Sequence, residues 1–250
     1  MITILELYPT HLAVNGDMGN NIVLQKRLEL AGVSSRRIEH NPGDALPEHV
    51  DIVTIGTGPG SALRVLADDV ARIGGTVREW AASGVPMLAV TAGMHLFGRE
   101  LTLAQGDTMA GLGVFDLTTA PRASRALTNS FIVDTAMGRL VGVENHGVVV
   151  TIDSGDTRPW GTVVNGIGNA GTGTDGAIAH NATGTHVHGP VLAMNPHLAD
   201  HLIRIAVERA GVEYTTTADH DRIDRIAAQT RLHLAKLVGT GIDARPGTLG

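Results

Sequence analysis

The chain has 250 residues, 43% of them apolar and 18% charged, and its net charge is −6 with acidic and basic residues interspersed. This balance is typical of a well-buried globular protein and excludes both a disordered chain and a basic nucleic-acid-binding surface. The absence of cysteine excludes disulfides, thiolate metal sites and thiol chemistry. The longest apolar runs are shorter than the roughly 20 residues of a membrane span, so we expect a cytoplasmic protein without one.

The first half of the chain repeats one unit three times: a short apolar strand, a glycine-containing loop and a helix. Alternating strands and helices with short loops predict a mostly parallel sheet that helices cover on both faces. The strands are predicted at 2–7, 51–55 and 87–90, and the helices at about 22–31, across 63–73 and after Gly93.

The second half contains several short strand-like runs that turn residues separate, which predicts antiparallel pairing. These runs are 114–119, 131–134, 147–152, 163–166, 177–180 and 185–187, and helical patterns follow at about 197–210 and 219–238. We therefore expect an α/β protein whose mostly parallel central sheet has an antiparallel extension. The chain is predicted to form a single domain over 1–250, with a core at 1–214, a C-terminal helix at 215–240 and a loose tail at 241–250.

The third strand leads into Thr91-Ala92-Gly93, a strand–turn–helix junction of the kind that presents nucleophiles. In α/β sheets, reactive groups gather outside the carboxyl ends of the strands. The loop that contains Gly58 follows the end of the neighbouring strand. The backbone N–H groups of this loop and the N–H of Ala92 are therefore candidates for an oxyanion hole. His188, before a Gly-Pro turn, is the candidate base.

Several blocks of sequence, in a fixed order, carry a more specific resemblance. They are Leu7-Tyr8-Pro9 with Gly16-Asp17-Met18-Gly19-Asn20, then 113–119, Val141–Gly147, 184–190 and 195–200. With these blocks, nearly the whole chain resembles the glutaminase-type subunits of lipid II isoglutaminyl synthase. Those subunits are class I glutamine amidotransferases related to the glutaminase domain of cobyric acid synthase.

The resemblance implies a three-layer Rossmann-like fold with a Cys-Gly-Gly-Tyr-Gln elbow, whose cysteine attacks the glutamine amide while a histidine shuttles the proton. It also implies that ammonia passes to a Mur-ligase-like, ATP-dependent partner in a heterodimer. That partner activates the D-glutamate carboxylate of lipid II and supplies the third carboxylate of the triad. We expect no cofactor in this chain, because the resemblance places the ATP site in the other polypeptide.

Residue by residue, the resemblance implies roles for positions of this chain. His188 matches the catalytic histidine, Arg125 matches the arginine that holds the glutamine substrate, and Gly58 lies in the oxyanion loop. Thr91 occupies the position of the nucleophile, Ala92 replaces a glycine, and His95 replaces the final glutamine of the elbow pattern.

The threonine changes the expected chemistry. A hydroxyl is far harder to ionise than a thiol, and threonine nucleophiles rely on their own terminal amine, which position 91 lacks. Because a β-branched side chain resists strained backbone angles, we expect a relaxed turn at Thr91. Glutamine hydrolysis should be absent or very weak. The alternatives left open are a subunit of cobyric-acid-type amidation, a pocket for another small molecule, and a scaffold that has kept only the fold.

Other interpretations of the same residues need no catalysis. Thr91 can be an ordinary strand-end threonine, and Arg125 can pair with a surface group. His186 and His188 alternate on a predicted strand, so with His95 they offer a three-histidine metal site. No carboxylate at ligand spacing supports that site, and we expect no metal.

Overall fold

The computed structural model describes residues 1–153 and 155–242. Its strands are β1 (Ile2–Leu7), β2 (Ser35–His40), β3 (Ile52–Ile55), β4 (Met87–Val90), β5 (Glu100–Thr102), β6 (Thr108–Ala110), β7 (Leu117–Thr135), β8 (Gly138–Ile152), β9 (Gly161–Asn165), β10 (Thr174–Asp175), β11 (Ala177–Ala179) and β12 (Ala182–Thr185). Its helices are α1 (Met18–Leu30), α2 (Gly60–Val65), α3 (Ala67–Ala82), α4 (Ala92–Phe97), α5 (Val191–Met194), α6 (Pro196–Ala210) and α7 (Ala218–Leu237).

The first sheet has the order β11-β12-β4-β3-β1-β2, and all its pairs are parallel except β11 with β12. Consecutive residues of each strand are buried on opposite faces of the sheet, because successive side chains of a strand point to opposite sides. Val53 and Ile55 pack with residues of α3 and α4 on one face, whereas Ile52 packs with residues of α1 and α6 on the other. These two cores make three layers and confirm the predicted α/β class.

The second sheet has the order β10-β9-β7-β5-β6, with β8 paired to β7. Most of its pairs are antiparallel, so the strands predicted as an extension of the central sheet largely form a sheet of their own. The runs predicted at 131–134 and 147–152, and residues 117–119 of the run predicted at 114–119, belong to one long hairpin, β7–β8, whose register shifts twice. Both register shifts lie along the largely polar stretch 121–130. Because this stretch has no apolar run, the sequence pattern did not predict a strand there.

The helix at the C-terminus was predicted at 219–238 and is found at Ala218–Leu237. It begins with a capping box, in which the side chains of Thr217 and His220 bond to each other's backbone N–H groups. The helix packs against α1, α5 and the β7–β8 hairpin. Residues 243–250 of the predicted tail lie outside the described residues. Among the described residues, no helix combines the length and the apolar character needed to cross a membrane.

Candidate functional site

Thr91 stands between β4 and α4 with φ 45° and ψ −102°. A positive φ at a β-branched residue costs on the order of 1–3 kcal/mol and persists only where the surroundings enforce it. The expectation of a relaxed turn is therefore wrong. The Thr91 N–H donates to the carbonyl of Thr185 on β12, and the Thr91 carbonyl accepts from the His95 N–H of α4. These bonds hold the residue in the strained geometry of an elbow.

The close approach of α4 to the end of β3 completes the elbow. A Cβ on Gly93 would lie 2.7 Å from the carbonyl oxygens of both Ile55 and Gly56, so only glycine fits there. Gly58 is similarly confined, because a Cβ there would lie 2.4 Å from the His11 carbonyl oxygen. The loop after β3 is thus held between the start of α4 and the loop after β1.

The Thr91 hydroxyl lies 2.7 Å from Nε2 of His188, and both side chains are buried. The strand–turn–helix and the segment after β12 therefore bring together the two residues that the sequence places 97 positions apart. In the part of the chain that the structure describes, the nearest carboxylate is Asp17, whose Oδ2 lies 3.9 Å from His188 Nδ1, too far for a hydrogen bond. Within the described residues, neither His188 Nδ1 nor Asp17 Oδ1 has a hydrogen-bond partner.

Sequence reasoning missed two residues beside this pair. Asp17 binds the N–H of Thr57 through Oδ2 at 2.8 Å, and the Thr57 hydroxyl accepts the N–H of Ala92 at 3.2 Å. The predicted oxyanion donor at Ala92 is therefore already engaged by a protein hydroxyl. Asp17 had two signals in the sequence: its place in a glycine-rich loop near the carboxyl end of β1, and its place in the block 16–20 that carries the family resemblance.

A cavity of about 520 Å³ opens in front of the elbow. Its walls include the predicted site residues Thr91, Ala92, His95, Gly58 and Arg125. Among the described residues that line the cavity, Arg125 alone carries a permanent charge, and its Nε donates to Asn145 Oδ1 across the β7–β8 hairpin. His188 is not among the lining residues and contacts the cavity only through the Thr91 hydroxyl that it bonds. The hairpin of the second sheet thus forms one wall, and the elbow of the first sheet forms the other.

His95 and His186 also come together, with 3.1 Å between their Nε2 atoms. Because β12 ends at Thr185, strand alternation does not carry on to His188, which reaches Thr91. His186 Nδ1 bonds instead to Asp175 at 2.7 Å. Within residues 1–153 and 155–242, no group of three or more His, Asp or Glu side chains is arranged to hold a metal ion.

Glu144 ties the hairpin to the loop that follows β9. Its carboxylate accepts hydrogen bonds from His146, the Thr128 hydroxyl and the N–H groups of Ile167 and Gly168. Burial alone would raise the pKa of Glu144, but these hydrogen bonds outweigh burial and lower the pKa to about 2. Glu144 does not line the cavity itself, but it holds His146, which does.

We expect Glu144→Gln to lower the free energy of unfolding at pH 7 by about 3 kcal/mol, because the folded-state pKa lies well below the unfolded value near 4.5. This stabilisation is present above pH 4.5 and is lost as the pH falls toward 2. Urea unfolding at several pH values should therefore show that the difference in free energy of unfolding between wild type and variant becomes smaller below pH 4.5. The exposed Glu100→Gln is the matched control, and a gap that stays constant down to pH 3 contradicts the assignment.

Comparison with known proteins places this geometry in a family. The sequence profile of the CobB/CobQ-like glutamine amidotransferase domain matches residues 24–196. The lipid II isoglutaminyl synthase (glutamine-hydrolyzing) subunit GatD of Staphylococcus aureus is 28% identical over 215 residues, which cover 85% of this chain and 87% of the relative. Its namesake from Streptococcus pneumoniae is 29% identical over 216 residues, with 83% and 81% covered.

A solved glutamine amidotransferase from Thermotoga maritima shares the fold, with a TM-score of 0.53 at 14% identity, over 95% of this chain and 94% of that one. The profile spans the elbow, the loop after β3, the hairpin and His188. The chain therefore belongs to the CobB/CobQ-like glutamine amidotransferase family.

Proposed function

We propose that this chain is the amidotransferase-like subunit of a two-subunit complex that amidates the D-glutamate of lipid II or a similar carboxylate. The observation that carries the proposal is the Thr91–His188 contact in a strained elbow at the edge of the cavity. The names of the S. aureus and S. pneumoniae relatives support lipid II as the substrate. The Mur-ligase-like partner would use ATP in the cytoplasm to activate the acceptor carboxylate for attack by ammonia.

The same contact limits what the chain does alone. For a hydrolytic attack, His188 would have to take the proton of a threonine hydroxyl, which ionises far less readily than a thiol. The N–H of Ala92 is engaged by Thr57, so it is not free to stabilise an oxyanion unless Thr57 moves. We propose that glutamine hydrolysis by this subunit is absent or very weak.

His188 Nδ1 supports the idea that a partner completes the site. This buried nitrogen has no hydrogen-bond partner among the described residues, and Asp17 stands 3.9 Å away. A buried donor without an acceptor is costly, so a carboxylate that comes within hydrogen-bond distance when a second subunit binds would stabilise the ring. The subunit would then position the partner while free ammonia or another amine supplies the nitrogen.

The test is an assay of the purified pair with glutamine and with ammonium as competing nitrogen sources. We expect amide formation with ammonium and little or none with glutamine. Glutamate release from glutamine at an ordinary enzyme rate, on the order of 10 s⁻¹, would contradict the disabled-site proposal. Ammonium-dependent activity that is unchanged when this subunit is omitted would contradict its role as a working subunit.

The match to the CobB/CobQ-like profile favours a second candidate, a subunit that amidates a cobyric-acid-type acceptor. The two candidates differ in the acceptor and share the elbow. Offering the complex both a lipid II analogue and a corrinoid carboxylate, each with ammonium, separates them. A chain that co-purifies with a partner and changes neither reaction would instead be a scaffold.

A further inference from the structure

A second hydrogen-bonded chain of side chains ends at the cavity, separate from the Thr91–His188 pair. It runs from Asp175 to His186 at 2.7 Å, and from His186 to His95 at 3.1 Å. His95 lines the cavity, whereas Asp175 and His186 are wholly buried behind it. The elbow pattern that the chain resembles has a glutamine at position 95 and so does not account for this relay.

The hydrogen bonds determine where each proton lies. Asp175 Oδ2 accepts from the Thr185 hydroxyl and from the backbone N–H of His186, while Oδ1 faces His186 Nδ1. A carboxylate that only accepts makes His186 Nδ1 the donor. Nε2 of a neutral His186 is then an acceptor, and His95 Nε2, 3.1 Å away, must donate to it. His95 Nδ1 is left with a lone pair, since the one side-chain hydrogen bond of His95 within the described residues is the Nε2 contact with His186.

Both imidazoles are neutral in this arrangement. Burial, followed by the neighbouring histidines, lowers the pKa of His95 well below its usual value, and burial likewise lowers the pKa of His186. Burial raises the pKa of Asp175 to about 6, against the hydrogen bonds that it accepts. The other charged or titratable groups that influence the relay are His146 and Glu144 on β8, Arg122 on β7, and His188.

We propose that Asp175, His186 and His95 form a proton relay through which a ligand in the cavity exchanges a proton with Asp175. A proton that a ligand N–H or O–H gives to His95 Nδ1 is matched by transfer of the His95 Nε2 proton to His186 Nε2. The His186 Nδ1 proton then passes to Asp175 Oδ1. The negative charge moves from Asp175 to the ligand, both rings stay neutral, and their tautomers are exchanged.

The relay also indicates the class of ligand. His95 Nδ1 presents an acceptor when Asp175 is ionised, and Arg125 supplies the permanent positive charge of the cavity wall. A small anion carrying an O–H or N–H donor, such as a hydroxy acid, satisfies both groups. This inference does not depend on a partner subunit or on the acceptor that the complex would amidate.

The test uses the whole chain labelled with ¹⁵N-histidine, in which long-range ¹H–¹⁵N spectra distinguish the tautomers of each ring. At pH 8 we expect His95 to carry its proton on Nε2 and His186 on Nδ1, and at pH 5 both assignments should be reversed. His95→Gln and His186→Gln identify the signals. The exposed His49 provides an internal reference signal outside the relay.

Asp175→Asn removes the charged acceptor, and its amide can donate to His186 Nδ1, as an asparagine in place of a triad aspartate imposes the wrong tautomer. His95 should then carry its proton on Nδ1 at pH 8 as well. Asp116→Asn, at the surface, should leave the pattern unchanged. If His95 Nδ1 is protonated in wild type at pH 8, or if its tautomer is the same at pH 8 and pH 5, the proposal fails. The wild-type spectra alone decide this if Asp175→Asn does not fold.

Discussion

Thr91→Cys is expected to raise glutamate release from glutamine by on the order of 10²-fold or more over wild type. A thiol at this position would lie beside Nε2 of His188, where the hydroxyl now lies 2.7 Å away, and a thiol ionises far more readily. Cysteine also lacks the β-branch, so it fits φ 45° better than threonine does. Glutamine hydrolysis should be restored only in part, because the Thr57 hydroxyl still accepts the hydrogen bond of the Ala92 N–H.

The absence of cysteine elsewhere gives this variant a second measurement. The introduced thiol is the only one in the chain, so its alkylation by iodoacetamide at different pH values reports its pKa directly. We expect a value below the ordinary 8.5, since a neighbouring histidine stabilises the thiolate. Adding His188→Ala should return that pKa toward 8.5 and abolish the gained hydrolysis.

Thr91→Val is the matched control, because it keeps the β-branch and removes the hydroxyl. If the hydroxyl is not a nucleophile, this variant should release glutamate from glutamine no more slowly than wild type, and its ammonium-dependent activity should be unchanged. A Thr91→Cys protein that folds, and yet releases no more glutamate than Thr91→Val, would show that the elbow lacks more than a thiol.

Arg27→Met is expected to lower the free energy of unfolding by about 3–5 kcal/mol. Arg27 on α1 is 2% exposed, and its guanidinium donates twice to Asp200 on α6 and again to Asp224 on α7. Tyr214 also donates to Asp200, at 2.6 Å. Removing the cation leaves Asp200 buried and without its main counter-charge. Urea unfolding followed by circular dichroism measures the loss.

Two variants show whether the loss comes from the unpaired charge. Lys26→Met, next along the same helix, removes only an exposed pair with Glu29 and should cost less than about 1 kcal/mol. Arg27→Met combined with Asp200→Asn should be more stable than Arg27→Met alone, since the buried charge is gone. A double variant that is less stable than the single one would contradict the assignment.

The sequence predicts four of the six strands in the sheet that carries the site, namely β1, β3, β4 and β11, whereas the strand predicted at 185–187 is found at Ala182–Thr185. Strands β1 and β4 are short apolar runs bounded by turn residues, and their observed limits match the predicted ones. The half-polar edge strand β2 was not predicted, because an edge strand shows neither an apolar run nor strict alternation. The predicted helix across 63–73 is broken at Leu66 into α2 and α3, a change that its apolar spacing does not show.

The part of the candidate site that lies in one strand–turn–helix segment could be predicted from the sequence. Thr91, Ala92 and His95 follow one strand, and the structure places them on the cavity wall with Gly58 and Arg125. The strain at Thr91 was not predictable, because it depends on bonds from β12 and α4 that no local pattern encodes. The contacts of Asp17 and Asp175 could not be predicted either, since each joins segments that only the folded sheet brings together.

The burial of Arg27 has a consequence for the order in which the protein matures. Its two acidic partners lie 173 and 197 residues further along the chain. At about 5–20 residues per second, a ribosome makes them roughly 10–40 s after Arg27. During that interval the β1–α1 unit exposes the face that later packs against α6 and α7, because those helices have not been synthesised. A nascent chain that stalls before residue 200 would therefore be a client for chaperones.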